Sequence, residues 1–491
     1  MAARRPNVLI VLMDQLQRGA LGSYGCRAAR TPVFDRLAAD GLRLTRAYVP
    51  LPQCAPARAS MFTGRYPHQH HVYRVGDSTQ FPAAWQAEVG PLVHRTPLPE
   101  SVPSLGQAFK AAGYRMGYTG PWHMGDDESP HHGWTDFWRT YRYWQDGRDF
   151  YVRHLERHGL AETFHREHRR FSASGSLATG VFPSGASIIP VEHARTAWAV
   201  DQAIEFLDSR DERPWVFCCS IKDPHPPIIS PGDFPDLVSP DDVDLPVSLA
   251  DDLSTKPSTL RESVQHQWVR NMSVADWRRL IAHYHGLVAH VDTEVGRMLD
   301  HLQDEGLADD TIVVVLSDHG ESLGAHRMIE KGPSMYEESL GIPFIVRWPG
   351  RIDGGKVSDA LFSTIDLTST LGDLCNVVVD AGEGRSFADA WTSNAPPPRD
   401  AIFAEFYSHF EDQHQFIKTV RTDRWKLNLF LLDDSELYDL HADPHEMINL
   451  IDDPAHAATR AALAQRIVDW IYETADPLAP IVKRAAQGLA T

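Results

Sequence analysis

Cysteine is scarce in this chain. Its 491 residues include only five, Cys26, Cys54, Cys218, Cys219 and Cys375, with no CxxC pair. An odd, sparse set argues against a disulfide framework and for a reducing compartment. Long apolar runs are missing as well. No stretch approaches the roughly 20 apolar residues of a membrane span. Near the start, Val8–Met13 follows two arginines. It is shorter than the roughly 7–15 residues of a signal-peptide core, and Asp14 follows instead of a small-residue cleavage site. A cytoplasmic protein with no membrane partner is expected. Positive charge is in deficit: 47 Lys and Arg against 66 Asp and Glu, a formal net charge of −19. Such a field disfavours nucleic acid as a partner. An anionic ligand would need a local group of cations acting against the global charge.

Apolar residues are present in quantity. They make up 43% of the chain, enough for one large α/β domain and a smaller appendage. Val8–Met13, Tyr114–Tyr118, Pro214–Ser220, Ile312–Leu316 and Pro343–Arg347 read as strands, several unalternating, as in a sheet covered on both faces. Thr31–Leu44, Ser104–Ala112, Ala194–Leu207 and Trp277–Leu302 carry helical spacing. Alternating strands and helices predict a large, mostly parallel sheet sandwiched by helices. The proline run Pro396–Pro398 marks a boundary. Beyond it, Ala401–Phe406, Gln415–Arg421 and Lys426–Phe430 predict a small antiparallel sheet, with a helix over Ala458–Thr474 against it. The expected division is a catalytic domain over 1–393 and an α+β subdomain over 399–491. The stretch 134–190 is rich in Arg, His and aromatics but weakly periodic. It is either an insertion shaping a pocket or a set of surface loops.

Chemistry concentrates just past two strands. Val8–Met13 runs into Asp14 and Gln15; Ile312–Leu316 runs into Ser317, Asp318 and His319. Ligand sites in open α/β sheets lie at the carboxyl ends of strands. An Asp after a strand can also simply cap the next turn, but two such pairs together offer three oxygen donors and an imidazole. That set suits Ca²⁺, Mn²⁺ or Mg²⁺, and the histidine favours Mn²⁺ over Mg²⁺. A third segment, Leu51–Gly64, has the core Cys54-x-Pro56-x-Arg58 followed by Thr63-Gly64.

That segment resembles the signature of the sulfatase family, in which the cysteine is oxidised by a separate formylglycine-generating enzyme to Cα-formylglycine. The resemblance runs along most of the chain. Asn7–Gln15 looks like the family's first strand and metal pair. Gly113–Gly125 looks like its G-K-W-H-x-G segment, and Lys222–Pro227 like its P-H-x-P loop. Ser317–Gly324, Lys331 and Tyr336–Pro343 resemble the second metal pair, the lysine downstream of it and the next strand. Glu436–Glu446 with Asn449-Leu450 resembles a C-terminal signature that carries no obvious chemistry.

The resemblance implies hydrolysis of a small organic sulfate monoester. A hydrated aldehyde at position 54 would attack sulfur, giving a covalent hemiester that collapses to release sulfate. Asp14, Gln15, position 54, Asp318 and His319 would hold one divalent metal, Ca²⁺ or Mn²⁺ ahead of Mg²⁺. Arg58 would hold the hydrate, His123 would contact its hydroxyl, His225 would protonate the leaving alcohol and Lys331 would neutralise a sulfate oxygen. Three departures stand out. Pro121 occupies the position of the lysine in G-K-W-H, so a sulfate contact must come from elsewhere, with Arg74 or an arginine of 134–190 as candidates. The Asp-Gln and Asp-His pairs look more like choline sulfatases and phosphonate monoester hydrolases than many arylsulfatases; the Asn of phosphonate hydrolases is not found near Val75. A phosphonate monoester or phosphodiester is therefore the alternative substrate. A homo-oligomer is compatible with the sequence.

Overall fold

The computed structural model describes residues 5–73, 97–125, 131–140, 149–171, 176–393, 395–408 and 414–490. Asn7–Asp14 lies near the middle of a nine-stranded sheet. From one edge the order is Lys356–Ser358, Leu42–Tyr48, Gly341–Arg347, Thr311–Ser317, Asn7–Asp14, Trp215–Pro224, Arg115–Gly120 and Asp136–Arg139. Phe362–Ser363 also pairs along Leu42–Tyr48. Pairing is parallel except at Gly341–Arg347, which runs antiparallel to both neighbours.

The unalternating first strand is explained by what covers it. Val8, Ile10 and Leu12 face one apolar core, and Leu9, Val11 and Met13 face another on the opposite side. The second core is roofed by the helix Val274–Asp304, through Tyr284, Val288, Val291 and Val295. Ser273 caps that helix, accepting from the Asp276 amide at 3.2 Å. Burying a Leu or Val fully stabilises by about 1.5–3 kcal/mol, so these two layers hold the sheet in place.

The helix expected over Thr31–Leu44 is shorter than its apolar spacing suggested. It spans Pro32–Asp40, and the chain then enters the strand Leu42–Tyr48. Gly41 makes the change possible: a Cβ there would lie 2.3 Å from the Val346 carbonyl oxygen. Leu42 and Leu44 then point to the same buried face, the period of a strand.

Ala401–Ser408, His414–Thr422, Trp425–Phe430 and Glu436–Asp439 form a four-stranded antiparallel sheet in that order. The helix Ala457–Glu473 packs on it. Ile402, Val420, Leu427 and Ile467 belong to the same continuous core as Val8 and Ile10. The fourth strand comes from the C-terminal signature. Its Glu436 accepts from the Tyr336 and Tyr438 hydroxyls, each at 2.7 Å, which ties that stretch to the large domain.

The described part of 134–190 is more than surface loop. Asp136–Arg139 extends the main sheet, and the helices Phe150–Arg157 and Ala161–Arg170 build a satellite core of Tyr151, Leu155, Phe164, Ile189 and Trp198.

Candidate active site

Asn7–Asp14 and Thr311–Ser317 are paired in parallel, with Met13 opposite Ser317. Their carboxyl ends therefore deliver Asp14 and Asp318 to one place. The Asp318 amide donates to the Met13 carbonyl at 3.0 Å, and the Gln15 amide donates to Asp318 Oδ1 at 3.0 Å. Gln15 does this in the left-handed region, at φ 69°. That conformation costs about 1–3 kcal/mol for a residue with a side chain, which the surrounding hydrogen bonds offset.

The helix Cys54–Thr63 brings the third component, and every one of its residues is buried. Cys54 is its first residue, where the helix dipole favours negative charge. Arg58 lies one turn on, on the same face. The trailing Thr63-Gly64 ends the helix. Thr63 Oγ1 donates to the Ala59 carbonyl at 2.7 Å, and Gly64 takes a left-handed φ of 70°. A Cβ at Gly64 would meet the Ala381 carbonyl oxygen at 2.1 Å.

Arg58 divides the two carboxylates. It holds Asp318 Oδ2 through Nε at 2.8 Å and Asp14 Oδ2 at 3.3 Å. The other oxygens face the remaining donors. Cys54 Sγ lies 3.5 Å from Asp14 Oδ1 and 3.3 Å from His319 Nε2, and His319 Nε2 is 3.6 Å from Asp318 Oδ1. His319 Nδ1 donates to the Gly320 carbonyl at 2.9 Å, leaving Nε2 as the inward nitrogen. Asp14, Cys54, Asp318 and His319 each present a donor atom, all within 4.8 Å of one another and all buried. Mixed oxygen and imidazole donors, with their outer atoms already held by hydrogen bonds, fit a divalent cation.

Cations stand round this cluster. Lys331 Nζ donates to Gln15 Oε1 at 2.5 Å and to His225 Nε2 at 2.7 Å. The His225 ring completes its pairing by donating from Nδ1 to the Pro226 carbonyl at 2.7 Å. Lys222 Nζ lies 3.7 Å from Asp14 Oδ2. Burial alone would raise the Asp14 carboxyl, but Lys222, Arg58 and Lys331 outweigh it and hold Asp14 well below the usual carboxylate range. Burial, with Lys222 and Lys331 close by, keeps His225 neutral far below its ordinary value. Burial and Arg58 do the same to His123, which follows the strand Arg115–Gly120 at φ 64°. Burial and the Asp14 and Asp318 carboxylates push the Cys54 thiol up to about 12. Around the centre, Arg58, Lys222 and Lys331 face Asp14 and Asp318, and the Glu330 carboxylate lies 3.9 Å from Lys331. Three cations are thus gathered locally inside a chain of net charge −19.

Every catalytic or metal-binding candidate singled out in the sequence falls in this region. Gln15 sits at its rim, its side-chain amide donating to Glu321 and its oxygen accepting from Lys331. Four contributors were not anticipated. Lys222 is a cation beside Asp14, although it stood in the quoted Lys222–Pro227 stretch. Tyr118 and Ser220 accept from Arg58 at 3.2 and 2.7 Å. Buried Glu321, raised to about 7 by burial, anchors Gln15. Pro121, in place of a lysine, gives its carbonyl to Arg58 at 2.5 Å. Arg74 lies outside the described residues. Next to the cluster, a cavity is lined by Lys222 and His225 on one side and by Tyr151, Phe164, Glu167 and His168 on the other. Among the described residues no helix is long and apolar enough to cross a membrane.

The family sequence model described as Sulfatase matches residues 6–377. A second, described as N-sulphoglucosamine sulphohydrolase, C-terminal, matches 324–473. The chain is 28% identical to the uncharacterized sulfatase YidJ of Escherichia coli, over 96% of this chain and 88% of that one. It is 27% identical to an arylsulfatase of Clostridium perfringens, over 91% and 90%. The solved phosphonate monoester hydrolase of Silicibacter pomeroyi superposes with a TM-score of 0.79 at 25% identity, over 96% of this chain and 97% of that one.

Proposed function

We propose that this chain, which belongs to the sulfatase family, hydrolyses an organic sulfate monoester to alcohol and sulfate with position 54 as its nucleophile. The observation that carries this reading is the setting of Cys54. It opens a buried helix among two carboxylates and an imidazole, with three cations around them. Maturation by a formylglycine-generating enzyme would give position 54 a hydroxyl nucleophile in place of the thiol. Asp14, Asp318, His319 and Gln15, with position 54, would hold one divalent ion, Ca²⁺ or Mn²⁺ ahead of Mg²⁺. When bound, such an ion supplies Lewis-acid stabilisation of charge on the sulfuryl oxygens.

The chain's own groups divide the remaining work. Arg58 fixes both carboxylates through separate oxygens and keeps them oriented. Lys222 and Lys331 neutralise sulfuryl oxygens; Lys222 takes over the contact that Pro121 cannot make. His225 and Lys331, 2.7 Å apart, share a proton that the leaving alcohol oxygen can take. His123 contacts the hydroxyl at position 54. The adjoining cavity receives the alcohol, with Tyr151 and Phe164 as its apolar wall and Glu167 and His168 as polar contacts. All of these residues lie within 1–393, the proposed catalytic domain. Five free cysteines suit a cytoplasmic setting.

A phosphonate monoester or phosphodiester is the second reading. The likeness to a solved phosphonate monoester hydrolase supports it; Pro121 disfavours only a phosphate dianion, because sulfate monoesters, phosphonate monoesters and phosphodiesters are all monoanions. The deciding experiment is kcat/KM for matured, metal-replete protein on a sulfate monoester, a phosphonate monoester and a phosphodiester with one aryl leaving group. The sulfate ester is expected to lead. A lead by either phosphorus ester overturns the sulfate assignment while keeping the site.

A further inference from the structure

Three imidazoles meet beside the helix whose Tyr151 lines the cavity. Asp149 starts the helix Phe150–Arg157, accepting from the Tyr151 and Val152 amides at 2.9 and 3.1 Å. His154 lies in its last turn and His158 closes it. Four residues apart, the two rings meet at an angle of 42° with centroids 4.5 Å apart. His193 comes from the short turn Val191–His193. Its carbonyl accepts from the Tyr151 hydroxyl at 3.0 Å, which fastens that turn to the helix. Its ring centroid is 5.1 Å from that of His154 and 4.3 Å from that of His158.

We propose that His154, His158 and His193 form a second metal site, taking a borderline transition ion of the Zn²⁺ or Ni²⁺ class. One nitrogen from each ring lies within 4.8 Å of the others. His154 Nε2 and His193 Nδ1 are 3.1 Å apart. Two nitrogens sharing a tetrahedral ion at about 2.0–2.1 Å stand about 3.3 Å from each other, so this pair already has nearly the spacing of a ligand edge. His158 Nδ1 donates to the His154 carbonyl at 2.8 Å, leaving Nε2 as its lone-pair nitrogen. A second ring nitrogen bonded to a backbone carbonyl is the usual orientation of a ligating histidine. His158 is exposed and His154 and His193 are half-buried, which gives an ion a path from solvent.

A second cluster shows what a group of the same size looks like when a side chain fills it. His68, Glu405 and Asp476 also converge. Lys418 Nζ is already there, 2.6 Å from Glu405 Oε2 and 2.5 Å from Asp476 Oδ2. Of the charged groups acting on His154, Arg157 disfavours a cation and Asp201 favours one. The all-imidazole donor set also separates this site from the oxygen-rich cluster at Asp14, since imidazole suits Zn²⁺ and Ni²⁺ and not Ca²⁺.

The test is Zn²⁺ binding by equilibrium dialysis at micromolar free Zn²⁺ with Ca²⁺ in large excess. The background is Asp318→Asn, which weakens the catalytic cluster as a competitor. One Zn²⁺ per chain is expected. The affinity should drop by about two orders of magnitude in His158→Gln and His193→Gln. His158 is exposed, so its variant should keep the wild-type circular dichroism spectrum. Co²⁺ should give the intense visible bands of a four-coordinate site, lost in the same variants. Equal Zn²⁺ binding in the background protein and both variants, or no stoichiometric Zn²⁺ in the background protein, overturns the proposal.

Discussion

Two of the charge clusters buried among the described residues differ at their centres. Around Cys54 the carboxylates Asp14 and Asp318 turn one oxygen each to Arg58 and the other towards Cys54, His319 and the Gln15 amide. In the second, Lys418 sits between Glu405 and Asp476 and also donates to the Tyr407 hydroxyl at 3.0 Å. His68 completes it, 2.9 Å from Glu405 Oε2, beneath the rings of Tyr66 and Trp470. The side chains at the centre of both clusters are buried. Buried charge alone therefore does not mark an active site. The distinguishing feature is donor atoms converging on a shared space while the lysines stand at the rim. Where a lysine occupies the middle, the cluster ties elements together: here the segment after the signature helix, the C-terminal sheet and the chain following Ala457–Glu473.

The sharpest contrast is in activity. Cys54→Ala should lower kcat/KM on an aryl sulfate by about 10⁴-fold or more, while leaving the urea midpoint near that of wild type. Activity within tenfold of wild type would remove the catalytic half of the comparison. Lys418→Met should do the reverse. Leaving Glu405 and Asp476 without their ammonium should cost about 3–5 kcal/mol in urea unfolding, with kcat/KM per folded molecule unchanged. A large loss of turnover per folded molecule would mean that the two clusters are coupled.

A smaller effect is expected at the rim. Lys222→Ala should reduce kcat/KM by about 10²-fold and leave metal content unaltered, as measured by elemental analysis after dialysis. Loss of metal in that variant would place Lys222 in the ion's support, not with the substrate.

The smallest effect lies in the acid limb of stability. Burial alone would raise Glu405, but His68 and Lys418 hold it well below the usual carboxylate range. A depressed folded pKa means that the ionised form stabilises the fold. The contribution is complete above the unfolded value of about 4.3 and is lost as pH falls below that towards the folded value. The wild-type Tm should therefore decline more steeply below about pH 4.3 than that of Glu405→Gln, which starts lower and runs flatter. Parallel curves would show that Glu405 does not carry this linkage.

The sequence made the proposed catalytic cluster more legible than the one around Lys418 for a reason of distance. Cys54, Pro56, Arg58 and Thr63-Gly64 lie in one helix, and each metal pair lies at the end of its own apolar strand. The strand ends pointed to the two pairs, and the resemblance to the sulfatase signature pointed to the segment at Cys54. His68, Glu405, Lys418 and Asp476 are spread over most of the chain and meet only through tertiary packing. Lys222 was in view, but its role depends on the end of Trp215–Pro224 lying beside Asp14. His154 and His158 show helical spacing, yet His193 joins them only in the fold. The large sheet was readable from unalternating runs. The strand Leu42–Tyr48 was not, because Leu42 and Leu44 continued the apolar pattern of the preceding helix across Gly41.

The central claim is that position 54 carries the reaction once matured. Its most direct test is kcat/KM on an aryl sulfate, measured across preparations whose fraction of formylglycine at position 54 is known from peptide mass. Activity proportional to that fraction, extrapolating to zero for chains that keep the thiol, is the expected result. Activity independent of the fraction would contradict the account.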